Sequence, residues 1–277
     1  MSDPVAVIGA TGTVGSRIVR ELGALGVPVR AASRRGPAPF DWFDQSTYAP
    51  LVAGAGAVYL LPPVESPDPL PPMRALVETA LAAGVRRLVL QTATIIERGD
   101  AGLGAVHDLV AKLAPEWTVV RPSWFMQNLQ PGHYLGDEIA AHDRIPTAVG
   151  DGHVTLVDAD DIAAVAVRAL TDSSPHQTDH LVTGPAAVTY DEVAAVLSAV
   201  AGRRIVHDRV GTDEVERLML GAGMAPQFVP FLAGLEDALR NDSESTVSDA
   251  VVRVTGRPPR SLRDWAADHA ATWRRTA

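Results

Sequence analysis

A doubly wound, parallel α/β sheet follows from three features of this chain. Short apolar, partly β-branched runs recur at regular intervals, helical-period segments lie between them, and the connections are short. After the fifth run the rhythm loosens into a smaller, mainly helical region.

Residues 5–8 form the first apolar run, followed at once by Gly9-Ala-Thr-Gly12-Thr-Val-Gly15. Ile18, Val19, Leu22 and Leu25 then recur at helical spacing, and Gly26 closes the segment. A second strand over 27–32 ends in Ser33-Arg34-Arg35; 36–39 reads as a turn before Phe40-Asp41-Trp42-Phe43-Asp44. The third strand is predicted at 57–61. Residues 61–72 are too rich in proline for regular structure and read as a loop at a ligand's edge. A helix over 73–83, a strand over 87–91, a helix over 103–113 and a strand over 117–120 complete the alternation. Beyond it, helices are expected at 158–170, 191–201, 213–220, 231–239 and 260–273, with a further strand near 181–183. Residues 1–122 are therefore expected to form a nucleotide-binding core. Residues 123–277 are expected to form a substrate-side region interleaved with the sheet, the two making a single structural unit.

Composition narrows the function. The 277 residues are 47% hydrophobic and 21% charged, as in a folded globular protein. Twenty-four basic against 33 acidic residues leave a charge of −9, which argues against nucleic acid or an acidic membrane as partner. Without cysteine there are no disulfides, thiol nucleophiles or thiolate metal sites. No apolar run reaches the ~20 residues that span a bilayer, and no basic-then-apolar leader opens the chain. A cytoplasmic location is expected. Every basic side chain is arginine except Lys112, a bias that a GC-rich coding sequence explains.

The opening motif carries the cofactor. Glycines at 9, 12 and 15 let a backbone turn tightly against a diphosphate, and the helix behind presents free N–H groups and a positive dipole end. Gly9, Thr11, Gly12, Thr13, Val14 and Gly15 are the residues of that Rossmann-type turn. An acid commonly ends the second strand of NAD-binding sheets, where it meets the ribose hydroxyls. Here Ser33, Arg34 and Arg35 stand instead, and guanidinium forks suit a 2′-phosphate. The expected cofactor is NADP(H).

Taken together, these residues resemble the NmrA-like branch of the atypical short-chain dehydrogenases/reductases. The likeness rests on Gly9-Ala-Thr-Gly12-x-x-Gly15, on Val85-Arg-Arg-Leu-Val-Leu-Gln-Thr92, and on Trp117-Thr-Val-Val-Arg-Pro-Ser-Trp-Phe-Met-Gln-Asn128. Thr255-Gly-Arg-Pro-Pro-Arg260 before the last helix extends it over nearly the whole chain. The nearest group within the branch contains the festuclavine and agroclavine reductases of ergot-alkaloid secondary metabolism, with NADPH quinone reductases second. The resemblance implies that Asp41 meets the adenine amine and that Leu60, Leu61 and Pro62 line the cofactor. Gln91 and Thr92 are expected beside it, Thr92 standing where many relatives carry serine.

The Tyr-x-x-x-Lys pair of most short-chain dehydrogenases is absent: four residues before Lys112 stands Asp108, and the tyrosines at 48, 59, 134 and 190 lie elsewhere. Two reductions survive without it. An iminium carbon accepts hydride with no proton on the attacked centre, and a quinone or enone can be protonated by water or a modest donor. His107 is the candidate donor, a surface or capping role being its competitor, and Thr92 the candidate for orienting a carbonyl. Trp124, Phe125, Met126, Asn128 and Tyr134 are expected to wall a small cyclic substrate, aromatic or cationic, with core packing as the competing role. The imine-reductase or quinone-reductase reading is thus an NADPH-dependent oxidoreductase. The reading from another class is a non-catalytic NADP(H)-sensing regulator. Asp158, Asp160 and Asp161 read as helix-start residues, no ligating pair is recognised among the eight histidines, and no metal is expected. Monomer and homodimer both remain open.

Overall fold

The structure, a computed structural model, describes residues 3–34, 36–63, 66 and 68–274. In chain order the elements begin β1 (Val5–Ile8), α1 (Gly15–Ala24), β2 (Val29–Ser33), β3 (Ala38–Pro39), α2 (Tyr48–Val52), β4 (Ala57–Leu60) and α3 (Leu70–Ala82). There follow β5 (Arg87–Gln91), α4 (Leu103–Leu113), β6 (Glu116–Pro122), α5 (Tyr134–His142), β7 (Arg144–Thr147), β8 (His153–Val154) and α6 (Ala159–Thr171). The chain ends through β9 (Thr178–Val182), β10 (Val188–Thr189), α7 (Tyr190–Ala201), β11 (Val206–Arg209), α8 (Thr212–Gly221), α9 (Val229–Ala238), α10 (Ala250–Thr255) and α11 (Leu262–Asp268).

These elements gather into two units, each described by itself. The first comprises Met1–Pro122, Ala159–Val182 and Ala250–Arg257, so two later segments return to the sheet. That sheet has seven strands in the order β3-β2-β1-β4-β5-β6-β9, all pairings parallel. β1 and β4 are buried along their whole length, which is why they read as unbroken apolar runs and not as alternating ones. Chain order reverses between β1 and β4, the place where open α/β sheets bind ligands. α1 lies against α6, where Arg17 and Arg20 reach Asp160 at 3.1 and 2.6 Å. The core includes Ile8, Val58, Leu76, Leu88, Val106 and Val119.

The second unit comprises Ser123–Asp158, Thr183–Asp249 and Pro258–Ala277. Its two small sheets pair β7 with β11 in parallel and β8 with β10 antiparallel. α7 opens with a capping box: Glu192 N donates to Thr189 Oγ1 at 3.3 Å and Thr189 N donates to Glu192 Oε2 at 2.8 Å. Trp265 and Trp273 fill its core, and Trp273 Nε1 donates to the Leu129 carbonyl at 3.1 Å.

Several sequence expectations need revision. α3 starts at Leu70 and not at 73, because Pro71 and Pro72 occupy the first turn, whose N–H groups have no helical acceptor anyway. The turn expected at 36–39 contains β3, which extends the sheet beside β2. The strand expected at 181–183 is β9, five residues ending at Val182. α2, α5, β7, β8, β10, β11 and α10 went unread; most are too short for a periodicity to show.

Candidate functional site

In the first unit the chain between β1 and α1 is bent by two backbone requirements. Gly9 has φ of +70°, and a Cβ there would lie 2.5 Å from Leu61 Cδ2. A Cβ on Gly15 would lie 2.1 Å from the Gly9 carbonyl oxygen, so only glycine lets the helix begin this close to the strand. Gly12 N donates to that same carbonyl at 2.9 Å and closes the turn. No side chain caps α1 and no acid occupies its first turn, so its positive end is left for an anion.

Above this turn lies a cleft of about 390 Å³. Its walls include Gly9, Thr11, Gly12, Ser33, Arg34, Asp41, Leu61 and Pro62. Thr11, Ser33, Arg34 and Gly36 also line an adjoining recess. Eight of the residues read from sequence as cofactor-binding are thus brought together. Thr13 is exposed at the turn, its carbonyl accepting from Arg17 Nη1 at 2.6 Å, while Val14 and Gly15 are buried at the start of α1. Arg35 lies outside the described residues.

Leu60 is a correction. It belongs to the hydrophobic core with 0% exposure, because alternate residues of a buried strand face opposite layers. Leu61, one residue on, is the one at the cleft. Sequence reasoning also missed Phe40, Trp42, Phe43 and Pro63 on the same wall. The aromatic density of residues 40–43 was the available signal.

At the ends of β5 and β6 the polar residues are mostly committed. Gln91 Oε1 accepts from Tyr59 Oη at 2.5 Å, in a setting where burial pushes the Tyr59 phenol far above its usual range. Thr92 N donates to Val120 O at 2.9 Å, whereas the buried Thr92 Oγ1 has no hydrogen-bond partner among the described residues. Arg121 is buried and donates to Asp179 at 2.7 Å, to Thr94 O at 2.6 Å and to Glu97 at 2.5 Å, pinning the segment after Thr92.

His107 is only 2% exposed, its ring 5.9 Å from that of Trp117, and neither ring nitrogen has a hydrogen-bond partner among the described residues. Burial, with Arg121 and Arg98 nearby, pushes its pKa below the usual histidine value against the opposing pull of Asp179 and Asp108. It is not the surface or capping histidine that competed with the donor role. Lys112 pairs with Asp108 at 2.6 Å on the exposed face of α4.

The five residues expected to wall a substrate all belong to the second unit. Trp124 and Phe125 flank the backbone bridge to Val157, and Asn128 N donates to Phe125 O at 3.1 Å; all three side chains are half-buried. Met126, though 1% exposed, borders a cavity of about 190 Å³ with Leu156, Val188 and Leu262, whereas Tyr134 is a correction to the wall: at 4% exposure it packs in the core. Tyr134 Oη donates a short hydrogen bond to buried Glu236, which also accepts from Ala148 N at 3.0 Å. The core could bury that phenol because it supplied a carboxyl oxygen to accept from it.

Asp160 and Asp161 do stand in the first turn of α6, and each also meets arginine: Asp161 pairs with Arg257 at 2.7 Å. In the second unit Asp158 pairs with Arg260 at 3.2 Å and accepts from Gln127 at 2.7 Å. One histidine pair had escaped the sequence reading. His176 and His180 stand four apart, and His176 Nδ1 lies 2.9 Å from His180 Nε2 while its Nε2 lies 3.1 Å from Asp172. A single proton shared between the facing nitrogens accounts for that contact. Among the described residues no three His, Asp or Glu side chains converge as a metal site.

No protein-family model matches the chain. An uncharacterized oxidoreductase of Bacillus subtilis (strain 168), YesF, is 41% identical over 279 residues, covering 98% of this chain and 96% of that protein. Festuclavine synthase II of Penicillium roqueforti (strain FM164) is 34% identical, covering 97% of this chain and 99% of its own. The chain belongs to the NmrA-like family of atypical short-chain dehydrogenases/reductases. This NmrA-like chain is an oxidoreductase. In fold it is similar to the NADPH-dependent quinone oxidoreductase of Escherichia coli complexed with NADPH, with a TM-score of 0.76 at 19% identity over 96% of this chain and 99% of that one. No helix among the described residues is long and apolar enough to cross a membrane.

Proposed function

We propose that this NmrA-like protein is an NADPH-dependent reductase acting on the C=N⁺, or the conjugated C=C or C=O, of a small cyclic substrate. The cleft that joins the glycine turn to Ser33 and Arg34 carries the proposal. It suits a dinucleotide because the turn is closed against any Cβ at Gly15, the helix end is uncapped, and a guanidinium stands where an acid would select against a 2′-phosphate. Gly12 and Thr11 would hold the diphosphate, Ser33 and Arg34 the extra phosphate, and Asp41 the adenine amine. When bound, NADPH supplies hydride.

The protein's own part is positioning. Thr92, whose hydroxyl is buried without a partner among the described residues, is assigned to orient the substrate's polar atom or the cofactor ribose. Proton delivery is assigned to solvent. His107 is a poor donor because burial keeps its imidazole neutral at neutral pH, so the charged form that gives up a proton readily is scarce. Trp124, Phe125 and Asn128 remain the proposed substrate contacts. Festuclavine synthase II, by its name, makes festuclavine.

A panel of quinones, cyclic iminium ions and enones, with NADPH absorbance followed at neutral pH, tests the proposal. Steady loss of NADPH with at least one class is expected. Tight NADPH binding with no consumption across the panel would leave a cofactor sensor instead.

A further inference from the structure

The aromatic wall of the cleft has a feature that phosphate recognition does not explain. Phe40, Trp42 and Tyr48 form a closed cluster, with Phe40 edge-on to Trp42 at 4.9 Å and stacked on Tyr48 at 5.6 Å. Phe43 lines the same cleft but stands outside that cluster: 65% exposed, its ring stacks on no other aromatic ring among the described residues. A lone exposed phenylalanine is ordinary on a protein surface. The backbone that carries this one is held in place. Phe43 N donates to Asp41 Oδ1 at 2.9 Å, Asp44 N donates to Asp41 O at 3.2 Å, and Tyr48 Oη donates to Trp42 O at 2.7 Å. Thr47 Oγ1 ties Asp41 from the other side, accepting from its N–H at 3.2 Å. The turn is thus fixed by side chains on both flanks, and its one unstacked ring borders a cleft whose apolar lining includes Ile8, Ala32, Leu61 and Pro62.

We propose that Phe43 is the stacking platform for the adenine of the dinucleotide and makes this enzyme dependent on the purine half of its cofactor. The inference rests on the NADP(H) reading above. With the backbone that carries it already fixed, only the two χ angles of the ring are ordered when a flat base covers it, and base–aromatic stacking is tolerant of base identity but needs a π-face. Asp41 then serves the base twice, through its proposed contact with the amine and by fixing the backbone of Phe43. Arg34, on the same cleft, discriminates the phosphate, while Phe43 recognises what NADPH and NADH share.

Calorimetric titration of the intact protein with NADPH, NADH and adenosine 2′,5′-bisphosphate separates the two roles. Phe43→Ala should weaken all three by about tenfold, and Phe43→Trp should restore them. Arg34→Ala should weaken NADPH and the bisphosphate but spare NADH. Reduced nicotinamide mononucleotide, which lacks adenine, should show the same KM with wild type and Phe43→Ala. Unchanged titrations for Phe43→Ala, with Arg34→Ala still selective for the phosphate, would overturn the platform and leave the cofactor assignment standing. Failure of the wild-type protein to bind any of the three would remove both.

Discussion

At the scale of single residues, the glycine turn and Arg34 make opposite demands on a mutation. Gly15→Ala puts a methyl group onto the backbone of Gly9, which cannot rotate away, so the cost is structural. A destabilisation of about 1–3 kcal/mol is expected, together with loss of NADPH binding. An unaltered Tm in a thermal melt would contradict the packing argument. Arg34→Ala adds space and removes charge; NADPH affinity should fall about ten- to hundredfold with NADH within about twofold, as read by titration. Equal losses for the two cofactors would defeat the phosphate assignment. His107→Gln should leave kcat and its pH dependence above about 7 unchanged, since burial holds that ring's pKa below the usual histidine value. Disappearance of a limb from the profile would return the donor role to His107.

Elements of the second unit are joined through a buried acid. Glu236 on α9 meets Tyr134 of α5 and the chain after β7, and burial pushes its carboxyl up to about 7 despite two hydrogen bonds that favour the charged form. The folded state therefore holds a proton that the unfolded chain releases near 4.5. Stability from this group is full below about 4.5 and declines as pH rises towards 7, by about 3 kcal/mol in all. His133 and His180 act in the opposite sense. Burial lowers each to about 4, so their contribution is full above 6.5 and declines as pH falls towards 4. Between about 4.5 and 6.5 the two histidines outweigh the single acid, so a plot of Tm against pH should rise from acid pH and level off near 7. Glu236→Gln should steepen the rise between about 5 and 7; an unchanged slope there would show that Glu236 does not hold the extra proton.

On the scale of the whole molecule, the first unit is discontinuous in sequence. β9 pairs with β6 along five residues, and α6 packs on α1, so residues 178–182 and 159–171 complete a sheet begun at residue 5. A fragment of residues 1–122 would expose the β6 edge and the apolar face that α6 covers. It should lack a cooperative thermal transition by circular dichroism, whereas the full chain shows one. A sharp melt of the fragment would mean that the returning segments are dispensable.

Local rules made much of this molecule readable. β1, β5 and α4 fall where their apolar periods put them, and the glycine triplet announced its turn, because each depends on residues adjacent in the chain. Short elements such as β3 and β10 were not readable, since two residues carry no period and gain their pairing from strands far away in sequence. The same divide runs through the site. Gly9, Gly12, Ser33 and Arg34 follow from strand–turn–helix geometry alone. Whether Leu60 or Leu61 faces the cleft, whether Tyr134 meets ligand or Glu236, and whether His107 is open to solvent were decided only when distant segments packed. Burial is a property of neighbours brought together by the fold, and it sets both the direction a side chain can point and the proton it can hold.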